Sequence, residues 1–230
     1  MIIRKRENEW VLIKQYDHSL CSGAFASHLS LPFQQRETTI WAIAEHDRCW
    51  TELDEHPKWD LETHEPYSFI NYPLEEKLVA YTKGITQMAS ADSFAGYIVS
   101  KHFATFFKDA TDDQGIQFLL QEQQRQQQLR PFIEMDDQEL VKYCQILKLC
   151  DDLSLFLCLN EPGINEHPWY QEGLLFAEMK IKWQWKNRNH LLLNAPLLSQ
   201  PFEVSIPYQV FDLTGLKKDE DVFQFTIENG

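Results

Sequence analysis

The sequence predicts a mainly α fold: one domain over residues 1–230, with a helical core at 15–160 and a small antiparallel β-sheet formed by an N-terminal hairpin and C-terminal strands. Three observations predict it. Apolar residues recur at helical spacing from Gln15 to Leu159, two short apolar runs open the chain, and period-two alternation takes over near its end. The β-rich portions are residues 1–14 and 175–230, a small appendage to a chain that reads in class as all-α.

Met1 to Ile3 and Trp10 to Ile13 are separated by the polar RKRENE, the pattern of a hairpin. From Gln15 onward, Pro32, Pro57, Pro66, Pro73, Gly115 and Pro131 divide the chain into segments long enough for helices. Thr51 to Asn71 lacks periodicity and is rich in Pro, Trp, His and acids, so it reads as a long loop bordering any pocket near His46 and Asp47. QEQQRQQQ, from Gln121 to Gln128, follows Ile116, Leu119 and Leu120 at helical spacing and reads as the solvated end of a helix. CQILKLCDDLSLFLCL reads as one long helix. After Asn160, Pro162, Gly163 and Pro168 break the chain, and KIKWQW, FEVSI and VFQFTI alternate as half-buried strands do. Such strands need a partner, and the N-terminal hairpin is the nearest one.

Charge narrows the function classes. There are 21 Lys+Arg against 35 Asp+Glu, a formal net charge of −14, so nucleic acid and anionic membranes would meet net repulsion. No stretch approaches the roughly 20 apolar residues that span a bilayer. The opening MIIRKRENEW is too charged for a secretory signal, so a cytoplasmic location is the expectation. The five cysteines form no C-x-x-C pair and are expected to be reduced and mostly packed.

Four positions place metal-ligating side chains on core faces. In WAIAEHDRCW, read as one helix, Ile43 and Trp50 lie between His46 and Asp47, so the imidazole and carboxylate straddle an apolar stripe. A lone carboxylate there is costly, and a cation offsets the cost; a buried hydrogen-bonded pair is the alternative. Asp151 shares a stripe with Leu140, Cys144, Leu147, Ser154 and Cys158, which makes it buried, whereas Asp152 falls beside Lys148 and reads as solvated. Asp151 needs a cation, a set of donors or a proton, and a neighbouring Trp or Tyr is the alternative partner. His18 sits near Cys21 and Phe25 on an inward face of a helix rich in small residues, and helical geometry sends His28 elsewhere. His102 is flanked by Ile98 and Phe106 at four-residue steps. For His18 and His102 the alternative is a satisfied core histidine.

The order His, His-Asp, His, Asp resembles the HD superfamily of helical metal-dependent phosphohydrolases. The phrases DHSLCSG, AIAEHDRCW, SKHF and CDDLSLFLC are similar to those of a bacterial family of uncharacterised HD-like proteins with a trailing β-rich segment. The resemblance implies an HD-like helical domain whose metal ligands are His18, His46, Asp47 and Asp151, with His102 matching a histidine that serves a second metal or the phosphate. Many HD hydrolases follow the pair with Gly-Lys or Gly-His, where this chain has Arg48, Cys49 and Trp50. One metal is better supported than two.

The expected function is therefore metal-dependent hydrolysis of a small phosphorylated metabolite or nucleotide. Asp47 would orient the nucleophile, and His102 and Lys101 would meet the phosphate. The cofactor would be one divalent transition metal (Mn, Fe, Co, Ni or Zn), with a second left open. The alternative is a non-catalytic ligand-binding or sensor protein that retains the metal site. The only cations near the site in sequence are Arg48, Lys58, Lys101 and Arg125 or Arg130, which favours a small phosphorylated partner over a polyanion. Neither nucleic acid nor membrane is expected as a partner, and homo-oligomerisation is left open.

Overall fold

The computed structural model describes residues 1–230. Helices run over α1 (Gln15–His28), α2 (Arg36–Glu45), α3 (Thr51–Asp54), α4 (Leu74–Ala91), α5 (Ser93–Thr105), α6 (Asp113–Leu129) and α7 (Asp137–Leu159). Three of them start on aspartate caps: Asp92, Asp112 and Asp136 accept from the backbone N–H of Ala95, Gly115 and Glu139 at 2.9, 2.7 and 2.8 Å. The C-terminal half of α7 is buried nearly all round, from Leu153 through Cys158. A helix with no wet face belongs at the centre, and α1, α2 and α5 pack around it. The Gln121 to Gln128 segment is helical, as its spacing predicts.

The strands are β1 (Ile2–Lys5), β2 (Glu9–Ile13), β3 (Leu174–Phe176), β4 (Met179–Ile181), β5 (Trp183–Asn187), β6 (His190–Leu193), β7 (Phe202–Asp212) and β8 (Lys217–Asn229). β1 and β2 form the expected hairpin, and β2 pairs with β7, so both chain ends share one sheet. The fold class nevertheless needs correction. With 47% helix and 23% strand the chain is an α/β fold, not mainly α, and the reading of it as all-α fails with that. The sheet is six-stranded, in the order β1-β2-β7-β8-β6-β5, and it is mixed rather than antiparallel because β6 runs parallel to β8. β3 and β4 form a second, two-stranded sheet.

The underestimate has a physical origin. The N-terminal half of β8, Lys217–Val222, is charged and exposed, so it carries no hydrophobic alternation to read. HLLL in β6 is a continuous apolar run without alternation, and β3 and β4 are three residues each. One apolar core joins sheet and helices, from Ile2 to Ile227. Phe156 of α7 packs on Trp183 at 4.2 Å between ring centroids, and Phe25 of α1 meets Phe202 edge-on at 5.2 Å. No helix is long and apolar enough to cross a membrane.

Two local expectations also change. WAIAEHDRCW is not one helix: α2 ends at Glu45, His46 is its C-cap, and Asp47 precedes a 3-10 turn at Arg48–Trp50. The His-Asp pair thus stands at a helix break. The segment after Trp50 begins with the short α3, and Trp59 turns away to pack on Phe211 at 6.1 Å.

Candidate metal centre

Four elements bring five side chains together: His18 from α1, His46 and Asp47 from the end of α2, His102 from α5 and Asp151 from α7. Close approach of α1 and α2 makes this geometry available. A Cβ on Gly23 would lie 2.5 Å from the Ala44 Cβ, so glycine lets the His18 helix reach the His46 helix. All five residues are buried. Their donor atoms form two overlapping groups, His18 with His46 and Asp47, and His46 with His102 and Asp151, each within 4.8 Å.

His46 Nε2 lies 3.6 Å from Asp47 Oδ2 and 3.5 Å from Asp151 Oδ1. His18 Nε2 lies 2.8 Å from Asp151 Oδ1 and 3.9 Å from Asp47 Oδ2, and His102 Nε2 is 3.7 Å from Asp151 Oδ2. Donors each about 2.1 Å from a metal are about 3.0 Å apart at a right angle and about 3.4 Å apart at the tetrahedral angle. Four of the observed separations, 3.5 to 3.9 Å, are wider than either value and the fifth, 2.8 Å, is a hydrogen bond, so the donors converge loosely and would draw in by a few tenths of an ångström to hold a cation.

The far side of each imidazole points to the same chemistry. His46 Nδ1 lies 2.7 Å from the Ile43 carbonyl, which can only accept, so Nδ1 carries the proton. Ser19 Oγ donates to the Ala44 carbonyl at 2.7 Å and lies 3.0 Å from the same Nδ1. Nε2 is fully buried and without a hydrogen-bond partner, so it is the atom whose proton a cation would replace. His18 repeats the device: Ser154 Oγ donates to the His18 carbonyl at 2.8 Å and therefore accepts from His18 Nδ1 at 2.7 Å. Both Nε2 atoms are aimed at carboxylates, an arrangement that needs positive charge between them. The residues present fit a divalent transition metal.

The electrostatics is that of a site short of positive charge, which a proton on His46 supplies when no metal does. Burial favours a protonated Asp151, but its hydrogen bond to His18 and the facing His46 and His102 imidazoles override that and hold its carboxyl well below the usual range. Burial pushes Asp47 up against the opposing pull of His46 and His18. For the His46 imidazole, burial lowers the pKa while Asp47 and Asp151 raise it by more, to about 9. Burial depresses His102 to about 3, so its imidazole is neutral.

His18, Asp47, His102 and Asp151 line a cavity of about 470 Å³, with His46 buried behind them. Its walls include Phe69, Tyr81, Phe106, Leu155, Trp169 and Leu174. The structure brings together His18, His46, Asp47, His102 and Asp151 but not Lys101, which is exposed on α5 with Nζ over the Tyr97 ring. Lys148 is the cation that lines the cavity, paired at 2.6 Å with Asp152. Arg48, Arg125 and Arg130 are bound to Glu45, Glu122 and Asp137, and Lys58 to Glu76.

Asp152 is also at the cavity, half-buried, and burial lifts it to about 6 despite Lys148. Of the Thr51–Asn71 segment only Phe69 reaches the wall, and Trp169, Tyr170 and Leu174 supply what was expected of that loop. Nothing in the local pattern of residues 167–174 marks them as a wall. Ser154 did leave a signal, since it lies one turn past Asp151 on the same stripe; Ser19 left none.

Residues 1–212 match the model of a family described as "Protein of unknown function (DUF3891)". No curated protein and no solved structure matches the chain.

Proposed function

The chain belongs to that family of unknown function, and from the site we propose that it is a metal-dependent phosphohydrolase acting on a small phosphorylated compound. The observation that carries the reading is the His46 imidazole, whose buried Nε2 lacks a partner and faces two carboxylates. The order His18, His46-Asp47, His102, Asp151 resembles that of the HD superfamily and supports the same reading.

His18, His46, Asp47 and Asp151 would hold one divalent transition metal (Mn, Fe, Co, Ni or Zn), and His102, neutral and 3.7 Å from Asp151, is available to a second. Such a metal supplies a Lewis acid for a phosphoryl oxygen and lowers the pKa of a bound water. The chain's own residues do the rest. Asp47 Oδ2 orients the attacking water by accepting its hydrogen bond. Lys148 attracts the phosphate from the mouth, and its pairing with Asp152 limits the anionic charge it can meet. The apolar walls exclude bulk water, which strengthens each of these interactions.

The same pairing of the one lining cation favours the second reading, a non-catalytic protein that binds a ligand over the metal. Turnover separates them. Purified protein supplied with each metal is assayed against nucleotides, sugar phosphates and generic esters. Phosphate release that His46→Ala abolishes supports the enzyme; no release under any metal leaves the binding protein. Metal analysis tests the site itself: His18→Ala, His46→Ala, Asp47→Ala and Asp151→Ala should each lose most bound metal, because one missing donor leaves a geometry the others cannot restore.

A further inference from the structure

Two further residues that line the cavity carry buried polar atoms without partners. Gln15 Oε1 and Tyr170 Oη make no hydrogen bond, their residues are only 3% and 1% exposed, and both line the cavity. Gln15 precedes His18 by three residues on α1, so the two share a face. Tyr170 is fixed by Phe156 and Trp183, each 5.8 Å away between ring centroids. A buried hydroxyl or amide oxygen left unpaired is destabilising, and a site that retains two such groups beside one cavity is built for something that pairs with them.

The mouth has the opposite character. Trp169 is 52% exposed and Phe106 55% exposed, both line the cavity, and Phe69 meets Trp169 edge-on at 6.4 Å. Flat apolar walls, with Gln15 and Tyr170 as the buried unpaired polar groups beside the more exposed Thr105, Lys148 and Asp152, suit a flat ring with a polar edge. A sugar or glycerol chain would lose water from its hydroxyls against Phe69, Phe106, Leu155 and Leu174 and find few partners there. A polyphosphate would meet one lysine already held by Asp152.

We propose that this cavity is a leaving-group subsite for phosphate monoesters of flat aromatic alcohols that carry a polar edge substituent, the ring held by Phe69, Phe106 and Trp169 and its edge paired with Gln15 and Tyr170. The ester part rests on the phosphohydrolase reading; the ring subsite does not. In the reaction the phosphorus–oxygen bond to the aromatic alcohol breaks and one to the water oxygen forms. The leaving oxygen takes a proton from that water, giving inorganic phosphate and the free alcohol.

The test uses the metal-loaded full chain and two readouts. Calorimetry compares 4-nitrobenzylphosphonate, a stable mimic, with propylphosphonate, and phosphate release compares 4-nitrophenyl phosphate with glycerol 3-phosphate, glucose 6-phosphate and adenosine triphosphate. The aromatic phosphonate should bind at least about tenfold more tightly than the propyl one. Trp169→Ala should remove most of that preference. Tyr170→Phe should weaken the aromatic ligand about fivefold while leaving the melting temperature of the ligand-free protein equal or higher, because the hydroxyl it removes has no partner there. A structural role for Tyr170 would move both readouts downward. Aromatic preference in binding without turnover upholds the subsite and overturns the phosphohydrolase reading alone. Turnover without aromatic preference overturns the subsite alone, as does a Tyr170→Phe variant that binds both phosphonates like the parent. No binding and no turnover overturn both.

Discussion

Ser154→Ala should uncouple metal affinity from folding. Ser154 Oγ accepts from His18 Nδ1 at 2.7 Å and donates to the His18 carbonyl at 2.8 Å. That carbonyl keeps Ser22 Oγ as a donor at 3.2 Å, so the group left stranded is the Nδ1 proton. A buried orphan donor costs about 1–3 kcal/mol. The imidazole has an escape: moving the proton to Nε2 lets it donate to Asp151 Oδ1, already 2.8 Å away. The escape limits the loss of stability in the metal-free protein but removes the lone pair a metal needs. Metal affinity should fall about 10- to 100-fold, the usual effect of deleting the partner of a ligating histidine. The melting temperature of the metal-free protein should fall by no more than about 2–4 °C for each kcal/mol that the escape does not recover. Competition against a chromogenic chelator gives the affinity, and thermal denaturation of stripped protein gives the stability. An affinity within about threefold of the parent, below the usual range for this contact, would show that Ser154 does not set the His18 tautomer, and the argument that both histidines present Nε2 to a metal would lose one of its two supports.

Three further outcomes follow from the same geometry. The metal-free protein should lose about 2 kcal/mol of stability between pH 6.5 and about 8.5, because His46 is raised from 6.5 to about 9 on folding; a raised folded-state pKa stabilises below the unfolded value and that contribution is lost as pH rises toward the folded one. His46→Gln and metal loading should each flatten this slope in urea unfolding, and an unchanged slope in His46→Gln assigns it to another group. Gly23→Ala should destabilise by about 1–3 kcal/mol despite alanine's better helix propensity, since its Cβ meets Ala44 Cβ at 2.5 Å, and Ala44→Gly should restore most of the loss; thermal melts of the single and double variants check it. Asp152→Asn should keep its metal and lower KM for a phosphate ester about 2- to 10-fold at pH 7 by freeing Lys148 for the anion; an equal or higher KM refutes the pairing as the limit on anion binding.

How far the sequence alone reached depends on how local each feature is. Burial of one helix face repeats every three to four residues, so the inward direction of His18, His102 and Asp151 was legible without any partner in view. Asp152 shows the limit of that logic. A wheel separates it from Asp151 and puts it beside Lys148, as found, yet the pair faces the mouth of the cavity rather than open solvent, because residues 168–174 fold back over α7. The break of α2 at His46 was hidden by a run that reads as continuous helix, with no Pro or Gly to end it.

The sheet was legible only where one face is buried and the other wet. β7 and the C-terminal half of β8 alternate and were visible, while the charged half of β8 and the apolar β6 were not. The parallel pairing of β6 with β8 has no local signature at all, since it depends on the segment after β6 crossing the end of α1, where Ser30 N donates to the Leu197 carbonyl and Ser199 N to the His28 carbonyl. Sequence by itself determined which side chains must be inside and what chemistry they carry, because amphipathic periodicity is a property of neighbours. Tertiary structure alone decided that five of them meet in two overlapping groups of three, that Lys148 replaces Lys101 at the cavity, and that Gln15 and Tyr170 are left with unpaired polar atoms beside it, because those are distances between segments separated by up to 155 residues (170 − 15).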